Sequence, residues 1–167
     1  MFDVAATLAP EPSTVELVVR DQTPATAAHP PLVTLCVRNT SDASMTLSGG
    51  QMLPLSQYSA HDASQPRRII VFPTVLNAKQ QVIPDEPTDA TWAMANAFHE
   101  SEAGLDVRLD PDEEHCREYA ILTYRPYVDG YPPGQYVATD ELTIDGAAST
   151  VEVTVTVPER QDRAVEA

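Results

Sequence analysis

Val151, Val153, Val155 and Val157 alternate without a break with Glu152, Thr154 and Thr156, and Pro158 closes the run. An α-helix would scatter these valines around its axis. A strand puts every second side chain on one face, so the segment reads as an extended element with one apolar side to bury. The same period returns at Leu32–Asn39, where Val33, Leu35 and Val37 share one face while Thr34, Cys36 and Arg38 share the other. It returns again at residues 105–109, where Leu105, Val107 and Leu109 alternate with Asp106 and Arg108. Strands of this kind are not stable alone; they need paired neighbours and a second apolar layer.

The rest of the chain supplies both. Residues 14–20, 44–47, 53–58, 68–72, 116–124, 135–139 and 141–144 read as further extended segments, and residues 68–72 carry the β-branched run Ile69, Ile70 and Val71. Turn formers separate them: Asn39 to Asp42, the pair Gly49-Gly50, His61 to Pro66, Asp110-Pro111-Asp112, Asp129 to Gly134, and Asp145-Gly146. Residues 22–31 hold three prolines and read as a loop. The signal weakens over residues 74–102, where Thr91 to Phe98 suits one or two helical turns but Trp92 equally suits a strand that inserts it into the core.

This pattern predicts an all-β fold, an immunoglobulin-like antiparallel β-sandwich of seven to nine strands, with a closed barrel or jelly roll as alternatives. The antibody framework of Cys, Trp and a second Cys preceded by Tyr is absent, because Trp92 lies far from Cys36 and Glu114 stands two before Cys116. Residues 1–13 read as a flexible leader, residues 14–158 as one domain, and residues 159–167 as a disordered polar tail.

Charge narrows the setting. Asp and Glu number 25 against ten basic residues, of which only Lys79 is a lysine, for a formal net charge of −15. Such a surface repels itself in dilute buffer, and the penalty shrinks as the screening length falls, so the composition points to a salt-rich interior. Nucleic acid and anionic membranes, themselves polyanions, are disfavoured partners. No basic n-region opens the chain and no run of about 18 apolar residues occurs, which makes the cytoplasm the expected location.

Three short patterns carry a resemblance. Val37-Arg-Asn39-Thr-Ser41 ends a strand, Leu109-Asp-Pro111-Asp-Glu113 makes a later turn, and Pro132-Pro-Gly134-Gln-Tyr136 closes the set. Spanning about residues 30 to 157, the arrangement resembles the intracellular proteinase inhibitor family of the BsuPI type, with Asp112 standing where the family's turn usually carries Gly. The resemblance implies a compact β-sandwich that binds other proteins inside the cell. It assigns no inhibitory loop and no functional residue.

Reactive side chains are sparse. Cys36 and Cys116 lie on candidate strands and can meet across a sheet, but in a reducing cytoplasm two buried thiols are the expected state. His29, His61, His99 and His115 form no H-x-H or H-x-x-x-H spacing, and the acidic cluster Asp110, Asp112, Glu113 and Glu114 lacks the spacing of a calcium loop, so it reads as a solvated turn. No metal site and no cofactor is expected. With no G-x-S-x-G and no Gly-rich phosphate loop, the expectation is a protein that is not an enzyme. Asn39-Thr-Ser41 fits the glycosylation pattern, but a turn explains it equally.

The feature that points to function is aromatic. Tyr119, Tyr124, Tyr127, Tyr131 and Tyr136 surround the turn at Pro132 and Pro133. Tyrosines beside prolines make a rigid amphipathic contact patch. Tyr119 and Tyr136 read as core residues with bonded hydroxyls. Tyr124, Tyr127, Tyr131, Pro132 and Pro133 are the candidate protein-binding residues, and replacing Tyr127 and Tyr131 by Ala is expected to spare stability. The sequence therefore predicts a non-catalytic, monomeric interaction module for a protein partner. The alternatives are a structural subunit decorating a cell surface or virion, and an unrecognised hydrolase.

Overall fold

The computed structural model describes residues 2–12 and 14–159 of the 167-residue chain. The tail expected over residues 159–167 lies almost wholly outside them. Ten antiparallel strands form the body: β1 (Asp3–Ala9), β2 (Val15–Thr23), β3 (Leu32–Asn39), β4 (Met45–Gly50), β5 (Ser59–Asp62), β6 (Arg68–Pro73), β7 (Gly104–Leu109), β8 (Glu114–Thr123), β9 (Gly134–Ile144) and β10 (Ala147–Val157). One layer runs β1-β10-β9-β4-β7 and the other β2-β3-β8-β6. Short β5 joins them, pairing β6 through Ser59 to His61 and β9 through His61 and Asp62. The fold is the expected all-β sandwich, with ten strands in place of seven to nine. Hydrogen bonding is continuous from layer to layer, which brings it close to a barrel.

The alternating valines behave as their period requires. Val151, Val153, Val155 and Val157 are buried against Val33, Leu35, Val37, Ile69, Val71, Tyr119 and Ile121 of the opposite layer. β6 and β8 depart from the one-sided pattern because both of their faces are covered. Ile69, Val71, Tyr119 and Ile121 face the main core, while Ile70, Phe72, Ala120 and Leu122 face a second cluster with Val82 and Trp92. The long segment between β6 and β7 forms that outer cover, which is why residues 119–123 are buried without a break. Its helical content lies early, in a 3-10 turn (Thr74–Leu76) and the short helix α1 (Asn77–Gln80). Thr91 to Phe98 is not helical; Trp92 is buried, and isolated bridges tie Ala93 to Thr123 and Asp89 to Tyr127.

Several local expectations are corrected. The leader expected over residues 1–13 contains β1, which pairs with β10 along its whole length and buries Val4 and Leu8. Residues 53–58 form no strand. Instead they pack into the core through Leu53, Leu55 and Tyr58, and β5 begins after them. Gly49 and Gly50 make no turn. They end β4, and a Cβ on either would lie 2.4 Å from Leu53 Cδ2 or 2.3 Å from Ser56 Oγ, so their bareness admits the segment that follows. At the β7–β8 turn, Asp112 holds φ at 68°, the left-handed region that glycine enters most easily and Asp tolerates better than most residues.

Cys36 and Cys116 are directly opposed between β3 and β8 and are joined as a disulfide, against the expected pair of free thiols. Alternation had placed Cys36 opposite the core-facing residues of β3; what it did not carry was the β3–β8 register that puts one sulfur against the other.

Candidate protein-binding site

β8 has a different character at each of its ends. At its start, the acidic turn is neutralised by arginine: Arg20 pairs with Glu114, Arg38 with Asp112 at 3.0 Å, and Arg108 with Asp110 at 3.7 Å. Asp110 also accepts a hydrogen bond from Ser44 at 2.7 Å, and this bond above all holds its carboxyl below the usual range. Beside the turn, Asn39 is fully buried, its amide donating to the carbonyls of Ala43 and Leu109 while Ser41 donates to its Oδ1. The glycosylation pattern is thus spent on a turn. Glu114 also stands with Cys36 and Cys116 in a group whose ligand atoms lie within 4.8 Å of one another, but the sulfurs are bonded to each other.

The far end of β8 is where four of the five predicted binding residues meet. Tyr124, Tyr127, Pro132 and Pro133 line one open pocket of about 920 Å³, together with His61, Asp62, Arg67, Arg68, Arg125 and Val128 among others. Three segments build it: the β5–β6 hairpin with its turn at His61 to Arg67, the end of β8, and the loop from Tyr124 to Pro133 that leads into β9. Pairing of Ile69 with Thr123 sets Arg68 beside Tyr124. The Arg68 guanidinium lies over the Tyr124 ring, 4.1 Å from its centroid, and Arg125 lies 4.8 Å from the centroid of Tyr127. Tyr124 is 49% exposed and Val128 73%. Only Val75 joins them as an exposed large apolar residue among the described residues.

The pocket wall is held by local bonds. Asp62 Oδ1 accepts from the Ser64 amide and hydroxyl, both at 2.8 Å, and the Ser64 amide is the main reason its carboxyl sits below the usual range. Arg67 donates to Pro133 O at 3.5 Å and to the side chain of Gln65. Tyr136 is buried and donates to Pro132 O at 2.8 Å, which anchors the proline turn from below.

Tyr131 does not belong with the other four. Its hydroxyl donates to Ile121 O at 2.7 Å, its ring packs against Phe2 with centroids 4.8 Å apart, and burial pushes its phenol well above the ordinary range. It lines a separate apolar cavity of about 450 Å³ with Phe2 and Trp92. The sequence grouped Tyr131 with the other four; in the structure it stands apart from them, half-buried, and fastens the loop to the core. Arg67, Arg68 and Arg125 were missed as site residues, because nothing in local sequence brings residues 67–68 beside residue 124. Among the described residues no helix is long and apolar enough to cross a membrane. No protein-family model, curated protein or solved structure matches the chain.

Proposed function

We propose that this protein is a non-catalytic interaction module that engages a protein partner through the pocket at the end of β8. The observation that carries this reading is the convergence of Tyr124, Tyr127, Pro132 and Pro133 on one open concavity, beside an exposed Val128. Exposed aromatic and apolar side chains grouped around a pocket are the usual anchors of protein contacts. A proteinase-inhibitor-like role is the form of this function that the sequence resemblance suggests. The excess of 15 negative charges suits a salt-rich setting.

The Cys36–Cys116 disulfide bears on location. Structural disulfides belong to oxidising compartments, so it favours such a setting over the cytoplasm expected from the sequence. The same bond lends weight to a second reading, a subunit displayed on a cell surface or virus particle. Size-exclusion in molar KCl separates the two readings, because a lattice subunit assembles and a module stays small.

A photoreactive amino acid at Val128 tests the docking role. In lysate at molar KCl it should give a discrete adduct with a partner, and Tyr124→Ala with Tyr127→Ala should remove that adduct. An adduct pattern untouched by these changes would refute the assignment.

A further inference from the structure

Ten basic residues serve a chain with 25 acidic ones, and their distribution is uneven. Arg20, Arg38 and Arg108 are each consumed by a carboxylate near the start of β8. Arg67, Arg68 and Arg125 gather at its other end around the pocket. In a protein so rich in carboxylates, three arginines lining one pocket are a local concentration of positive charge. Two of them are stacked on Tyr124 and Tyr127, which holds the guanidinium planes in place while leaving their edges to donate. Asp62 and Asp129 share the pocket; Asp62 Oδ1 is engaged by Ser64, and the charge of Arg67 helps hold the Asp62 carboxyl below its usual range, which leaves Arg68 and Arg125 as the arginines stacked on aromatic rings.

We infer that the segment seated in this pocket is an extended acidic peptide of the partner, whose carboxylates are taken by Arg68 and Arg125. This inference rests on the docking role proposed above. A planar guanidinium donates two parallel hydrogen bonds to a carboxylate, and such charged bonds are about twice as strong as neutral ones. The long-range repulsion between an acidic peptide and this acidic protein vanishes in molar salt, where the screening length is about 3 Å, while direct contacts persist. Nucleic acid is the weaker fit to the same arginines, because a polyanion of high linear charge must approach the whole acidic surface and one face of each tyrosine is already covered.

The test uses the full chain in molar KCl and three fluorescein-labelled probes: an eight-residue peptide of Asp, Glu and Ala, its Asn/Gln isostere, and a single-stranded oligonucleotide. Anisotropy should show the acidic peptide binding at least about tenfold more tightly than the isostere. Arg68→Gln and Arg125→Gln should each weaken it about tenfold, while Arg108→Gln, at the other end of β8, leaves it unchanged. Circular dichroism of each variant guards against misfolding. Equal binding of acidic peptide and isostere, both lost on Tyr124→Ala, would overturn the acidic preference and leave the docking role standing. Tighter binding of the oligonucleotide at these arginines would overturn the choice of partner class. No binding by any probe, with the Val128 adduct still formed, would likewise reject the acidic peptide; loss of the adduct as well would remove the docking role beneath it.

Discussion

The Tyr119 hydroxyl accepts the Leu55 amide at 3.0 Å and lies 2.8 Å from the Leu55 carbonyl, so one phenol closes both polar groups of a residue that is itself fully buried. It also lies 2.8 Å from Met52 O. The segment between β4 and β5 has no strand partner at this point, and the phenol stands in for one. Tyr119→Phe should therefore leave buried backbone groups unsatisfied and cost about 1–3 kcal/mol in denaturant unfolding. A loss within experimental error would show that the segment is held by packing alone.

The disulfide closes a span of 80 residues. Thiol titration of the denatured, unreduced protein should find no free thiol. In the chain-entropy account, a loop of this length contributes about 4.5 kcal/mol, so the paired change Cys36→Ala and Cys116→Ala should lower stability by that order. Two reactive thiols in freshly purified protein would instead place the chain in a reducing compartment.

Tyr124 and Tyr131 should separate cleanly. Tyr131→Ala removes a ring packed on Phe2 and a bond to Ile121, and should cost about 3 kcal/mol in thermal or chemical unfolding. Tyr124→Ala should change stability by no more than about 0.5 kcal/mol while abolishing the Val128 adduct. The reverse order of the two losses would exchange their roles.

Alkaline pH should reach the buried phenols through unfolding. Burial raises Tyr58 from its ordinary 10.0 to about 12, and it raises Tyr119, Tyr131 and Tyr136 as well. The folded values exceed the unfolded ones, so this stabilisation is whole below pH 10 and is lost as pH rises towards 12. Melting temperature should hold steady up to about pH 10 and then fall, with phenolate absorbance rising as near-ultraviolet dichroism disappears. Ionisation of all six tyrosines with dichroism intact would contradict the burial described here.

Salt should act in the opposite sense to its effect on ordinary surface ion pairs. With a net charge of −15, screening relieves more repulsion than attraction. The melting temperature should climb between low salt and molar KCl, and a flat profile would end the case for salt adaptation.

What could be read along the chain was whatever depends on neighbours in sequence. Leu32–Asn39 was legible to the residue, and the valine strand at its C-terminal end though not over its first four residues, because a period of two is a local signal; Asp110-Pro111-Asp112 announced its turn through backbone preference alone. The two-sided burial of β6 and β8 was only half visible, since an apolar run does not say what covers it. Register and layer contacts are non-local, and the tertiary structure decided them. They joined Cys36 to Cys116, turned Tyr131 inward, let Gly49 and Gly50 pass the following segment, and set Arg68 over Tyr124. A shift of one residue between β6 and β8 would send every one of their side chains to the other face, so the site exists only in the assembled fold.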